Sequence, residues 1–121
     1  MDDSRLLIVS LLASTIGLFI LLFVSAAQGP MPISEIAPEN IGSKVVVEGS
    51  VSETFTTPDG HLFFQLADST KSIKIVAFSD VAGGLACVED GTHIRLRGMV
   101  DEYRSNLEII VSKAADVKCL K

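Results

Sequence analysis

The residues in this 121-residue chain that suggest catalysis or metal binding are few and scattered. There are two histidines, His61 and His93, and two cysteines, Cys87 and Cys119, with 31 residues between the cysteines. No Cys-x-x-Cys or His-x-x-x-His grouping brings ligands together, so a zinc site is not expected. Glu89-Asp90 and Asp101-Glu102 are adjacent carboxylates near turn signals, where solvated charge is the normal state. Gly83-Gly84 lacks the Lys-Ser/Thr that follows a phosphate-cradling loop. With no nucleophile, base and orienting group in any recognisable constellation, no catalysis and no cofactor are expected. The cysteines leave two readings open. In an oxidising compartment they would pair, and otherwise each packs as a small hydrophobe.

Strand-like segments carry these residues. From Lys44 the apolar residues recur every second position: Val45, Val47 and Val51 alternate with Val46, Glu48 and Ser50, with Gly49 where a long strand must bend. Thr57-Pro58-Asp59-Gly60 is a turn, His61–Leu66 a second strand, Asp68–Lys71 a tight turn, and Ser72–Phe78 a third strand. Ser79–Asp90 reads as a loop with one helical turn. Thr92–Val100 is a fourth strand, Tyr103–Asn106 a turn and Leu107–Val111 a fifth strand. The shared period-two register places Val45, Val47, Leu62, Phe64, Leu66 and Ile73 inward. Ile75, Ile94, Leu96, Val100, Leu107 and Ile109 complete that face. Five strands with one longer connection predict an all-β, five-stranded Greek-key barrel.

The N-terminus has a different character. Leu6–Ala27 is 22 residues without a formal charge. At about 1.5 Å per residue it would be roughly 33 Å long, enough for a bilayer core of about 30 Å. One transmembrane helix over residues 1–27, a linker over 28–32 and a barrel domain over 33–121 are therefore expected. The run exceeds the usual length of a signal-peptide core, and two acids precede it, which favours a retained single-pass anchor; cleavage after Ser25-Ala26-Ala27 is the alternative. Arg5 precedes the run, whereas the first base after it is Lys44, a bias that predicts an extracytoplasmic barrel.

The spacing Gly42-x-x-Val45-x-Val47-x-Gly49-x-Val51, followed by His61-x-Phe63-Phe64-x-Leu66-x-Asp68 and Ile73-x-Ile75-Val76-x-Phe78, resembles the OB-fold of the tRNA-anticodon and helicase type. Gly91-x-x-Ile94-x-Leu96-x-Gly98-x-Val100-x-x-Tyr103 and Leu107-Glu108-Ile109 continue the pattern. It is similar to the domain that opens the large subunit of exodeoxyribonuclease VII and to small membrane-anchored archaeal OB proteins. The likeness covers roughly residues 33–117 and consists of glycines, core hydrophobes and turn residues, so it specifies the barrel better than its ligand.

The resemblance implies single-stranded nucleic acid lying across strands two and three, between the first and last hairpin loops. The outward residues would then be His61, Phe63 and Gln65 on strand two and Lys74, Val76 and Phe78 on strand three, with Tyr103 and Arg104 in the last loop. Rings would stack on bases while the cations position phosphates. A haem-carrying OB module would need a His or Cys attachment residue with a nearby Tyr, and neither His61 nor His93 has a Tyr four residues on. Charge points the other way from nucleic acid. Residues 28–121 hold nine Lys/Arg and 13 Asp/Glu, a net of −4, where a phosphate-binding surface normally shows a basic patch. An extracytoplasmic module that binds a protein, peptide or small ligand is the alternative expectation.

Overall fold

The computed structural model describes residues 29–120. The expected transmembrane segment, Leu6–Ala27, lies outside the described residues. Among those described, no helix is long and apolar enough to cross a membrane.

Six strands form: β1 (Lys44–Thr56), β2 (Leu62–Ala67), β3 (Ser72–Ala77), β4 (His93–Tyr103), β5 (Asn106–Val111) and β6 (Val117–Leu120). One helical turn, α1 (Ser79–Ala82), interrupts the connection between β3 and β4. The sheet runs in the order β1-β2-β3-β5-β4-β6, and an additional β1–β4 pairing closes the first five strands into the expected barrel. All pairings are antiparallel except β3–β5, which is parallel.

Closure depends on long strands that change partners. β1 pairs with β4 over Lys44–Ser50 and with β2 over Ser50–Thr56. β4 pairs with β5 from Met99 onward and with β6 over His93–Leu96, so β5 and β6 cover the same edge in succession. Glycine stands close to each exchange of partners. A Cβ on Gly49 would run into the carbonyl of Ala67, and one on Gly98 would sit 2.5 Å from Ile109 Cγ2 and 2.7 Å from the Ile110 carbonyl oxygen. Only a residue without a side chain lets the strands approach that closely.

The interior is wholly apolar. Val47, Leu66, Ile75, Ile94, Leu96, Val100, Ile109 and Val111 are completely buried, and Phe64 nearly so. Every residue expected inward is buried except Leu107, which is only partly covered. The two ends are closed by different segments. Ile33 and Ile36, on short 3₁₀ turns before β1, cover the end that carries the β2–β3 turn. Val81, Leu85 and Val88 belong to the connection that leaves the opposite end of β3 and pack into the same core. The chain joins the barrel earlier than the sequence pattern suggests, because the Met31 amide already donates to the Val46 carbonyl (2.9 Å) along the free edge of β1.

Asp68 holds the N-terminal cover in place. Its Oδ2 accepts from the Ile33 amide at 2.8 Å. Its Oδ1 accepts from the Thr70 and Lys71 amides and from the Thr70 hydroxyl. Burial of this carboxylate acts to raise its pKa, but the hydrogen bonds from Thr70, Ile33 and Lys71 outweigh it and hold the group well below the usual carboxylate range. At the far end, a disulfide joins Cys87 to Cys119, whose Cα atoms are 6.4 Å apart, and so ties β6 to the β3–β4 connection. Of the two states left open by the sequence, the structure has the paired one.

Candidate nucleic-acid interface

The pairing register determines which side chains share the outer face of β2 and β3. Gln65 is opposite Lys74, and Phe63 is opposite Val76. His61 and Phe78 sit just beyond the strand ends, their rings edge-to-face with centroids 5.5 Å apart. The Ser79 amide donates to His61 Nδ1 (2.9 Å), which fixes the imidazole at the start of α1 and leaves Nε2 to carry the proton of the neutral ring. The six positions expected on this face therefore do share it. Val76 is outward by register, as expected, but is covered by its neighbours. It lies in register between Phe63 and Ile110 and is only 3% exposed, so it supports the face without presenting a surface.

Tyr103 and Arg104 reach the same face from the β4–β5 hairpin. The Lys74 ammonium is 4.8 Å from the Phe63 ring centroid and 5.9 Å from that of Tyr103, and the Arg104 guanidinium is 5.2 Å from the Tyr103 ring. Ring, cation, ring and cation thus alternate across β2, β3 and the hairpin. Arg104 and Ser105 both have positive φ, 50° and 66°, so the two residues at the hairpin tip are left-handed. That conformation matches the twist of the flanking strands and normally selects Gly or Asn. The Asn106 side-chain amide donates to the Arg104 carbonyl at 3.3 Å, bracing the tip.

Two features of this face escaped the sequence reading. Phe55 would point inward by parity with Val51, but β1 bulges between Ser52 and Phe55, with Glu53 at φ 52°, and the extra residue turns Phe55 outward opposite Phe63. It is 60% exposed and widens the aromatic surface beyond β2. The second is an acid. Glu108 lies beside Lys74 in the β3–β5 register and opposite Asp101 on β4. Burial raises its pKa, Lys74 opposes that rise, and Asp101 adds to it.

The basic residues do not gather in one place. Arg95 and Arg97 face outward on the stretch of β4 paired with β1, on the far side of the barrel from β2 and β3, and Arg95 lies 3.7 Å from Glu48. His93 shares that glutamate at 3.7 Å. The β2–β3 face has its own cations, Lys74 and Arg104. Beside them a hollow of about 270 Å³ opens between Lys74, Tyr103, Arg104, Asn106, Leu107 and Glu108.

A profile described as an OB-fold nucleic acid binding domain matches residues 31–114, most of the chain. The chain belongs to that family. Over 65 residues it is 37% identical to the exodeoxyribonuclease 7 large subunit of Desulforudis audaxviator, a match covering 53% of this chain and 16% of that one. Solved structures share the fold at low identity. Asparaginyl-tRNA synthetase from Pyrococcus horikoshii, complexed with asparaginyl-adenylate, superimposes with a TM-score of 0.62 at 20% identity, over 77% of this chain and 22% of the synthetase. The S. pombe Stn1-Ten1 complex gives 0.61 at 16% identity, over 77% of this chain and 78% of that one. An OBody bound to hen egg-white lysozyme gives 0.64 at 18%, over 78% and 93%. This OB domain thus spans about a fifth or less of the synthetase and of the nuclease subunit.

Proposed function

We propose that this OB domain is a non-catalytic module that binds single-stranded nucleic acid weakly across β2 and β3. The observation that carries the reading is the placement of the Lys74 ammonium against both the Phe63 and Tyr103 rings, with Arg104 beside Tyr103. Stacked bases need ring faces and phosphates need cations, and here the two alternate across one face. His61, Phe78, Gln65 and Phe55 extend the surface on either side of Phe63. Glu108 and the acidic total charge lower the affinity, which we place in the high-micromolar to millimolar range. The charge-free run Leu6–Ala27 supports a membrane tether with the OB domain outside.

The test is a titration of labelled single strands at about 50 mM salt, where electrostatic attraction is least screened. Phe63→Ala should weaken binding about 5-fold to 100-fold, the range for loss of one stacked base. Lys74→Ala should reduce the slope of log affinity against log salt by about one counterion. Absence of binding by the wild-type protein under these conditions would refute the reading. A protein or peptide partner is the alternative, supported by exposed Phe55 and Met99, which flank the Phe63–Val76–Ile110 row and widen its apolar surface.

A further inference from the structure

The stacking face continues past Lys74 into a groove of about 500 Å³ at the Asp68 end of the barrel. That volume falls within the roughly 300–1,000 Å³ of small-ligand sites. Its lining is mixed: Ile36 and Pro38 from the N-terminal turns, Ile73 at the start of β3 and Leu107 of β5 contribute apolar surface, and Ser72 and Ser105 lie among them. Its rim carries two side-chain amides. The side-chain amides of Gln65 and Asn106 border it from opposite sides, with Lys71 and Lys74 alongside. Lys74, Asn106 and Leu107 also border the hollow beside Tyr103, so the groove adjoins the ring-bearing face.

Each amide has capacity to spare. Gln65 makes no side-chain hydrogen bond among the described residues, and Asn106 uses only its Nδ2, on the Arg104 carbonyl. Gln65 therefore offers both a donor and an acceptor, and Asn106 its carbonyl and a second amide N–H, at the edge of the groove. An unpaired nucleobase has the complementary form, with apolar faces and a hydrogen-bonding edge. The groove is also preformed. The Ile33 amide is bound to Asp68 (2.8 Å), which fastens the N-terminal wall to the β2–β3 turn, and the Ala37 amide is bound to Asn40 Oδ1 (2.8 Å), which shapes the turn bearing Pro38.

We propose that this groove receives one unpaired nucleotide of the bound strand and that Gln65 and Asn106 read its base edge, giving the domain a base preference that stacking alone would not provide. The inference rests on the single-strand reading above and adds specificity to it. Phe63, Tyr103 and Phe55 accept any base, since every base has a π-face. A side-chain amide discriminates, because the wrong base leaves a donor or acceptor unpaired.

The test uses the full chain in a mild detergent and three homopolymeric DNA strands, of adenine, cytosine or thymine, each about twelve nucleotides long, within the site size of one barrel. The expected result is a spread of at least about fivefold between the best-bound and worst-bound strand. Gln65→Ala should change that ratio by about threefold or more, and Asn106→Ala should do the same. Phe63→Ala should weaken all three strands in parallel and preserve the ratio. Asn106→Ala also removes a brace of the hairpin, so Gln65→Ala, at an outward strand position, carries the decision should the hairpin variant unfold. Equal wild-type affinities for the three strands, or a ratio unmoved by Gln65→Ala, would overturn the inference while leaving the single-strand reading standing. Failure of the wild type to bind any strand would overturn both.

Discussion

Replacing Asp68 with Asn tests whether the N-terminal cover is held by this one side chain. The carboxylate accepts four hydrogen bonds through its two oxygens. An asparagine can keep the three donors from Thr70 and Lys71 on its single carbonyl oxygen. Its NH₂ then faces the Ile33 amide, donor against donor. The lost bond, with an amide left without a partner beside buried Ile33, should cost about 1–3 kcal/mol. The pH dependence has a definite sign. A carboxyl group whose folded pKa is depressed contributes stability that is present above its unfolded pKa, near 4, and is lost as pH falls through the lower folded value. Wild type should therefore lose stability between about pH 4 and the folded pKa more steeply than Asp68→Asn does. Urea melts at several pH values give the stability difference, and amide hydrogen exchange at Ile33 localises it. Unchanged protection of the Ile33 amide in Asp68→Asn would refute the reasoning, because the bond would then not hold the segment.

Leu96 is completely buried at the centre of β4, and Leu96→Ala should cost about 2–5 kcal/mol in the same urea assay; a loss under about 1 kcal/mol would put the strand in the wrong register. Ser105→Gly relieves a left-handed backbone at the hairpin tip and should stabilise by about 0.5–1 kcal/mol, measured as a rise in the urea midpoint. Because burial and Asp101 raise the Glu108 pKa, protonation will remove a negative charge beside Lys74 as pH falls toward that raised value. Strand affinity should thus increase on acidification, and Glu108→Gln should bind more tightly at neutral pH and lose that dependence.

Most of the barrel is legible in the chain because period-two burial is a local signal. Val45, Val47, Leu62, Phe64, Ile94, Leu96 and Val100 all reveal their face within their own strands. The strand pairing that brings Tyr103 and Arg104 to Phe63 and Lys74 is non-local, and it became readable only through the resemblance to a known barrel. Three features left no local trace. The bulge at Ser52–Phe55 inverts the parity of Phe55, and nothing in Ser52-Glu53-Thr54 is a glycine or proline that would mark it. β6 is four residues long, too short for alternation to stand out, and forms because β4 still has an unpaired edge after β5 ends. Val76 loses its exposure to neighbours on two other strands, which no single-strand pattern encodes.

The Cys87–Cys119 bond also changes the connectivity of the molecule. It encloses β4, β5 and most of β6 in one covalent ring, and the exposed hairpin tip at Arg104 and Ser105 lies inside that ring. A protease that clips after Arg104 opens the ring without releasing a piece. The nicked chain keeps both halves of its β4–β5 hairpin tethered, migrates as one species until a reductant is added, and then separates in two. Damage at this exposed tip of the candidate binding face therefore leaves a molecule whose parts remain at high effective concentration for re-pairing.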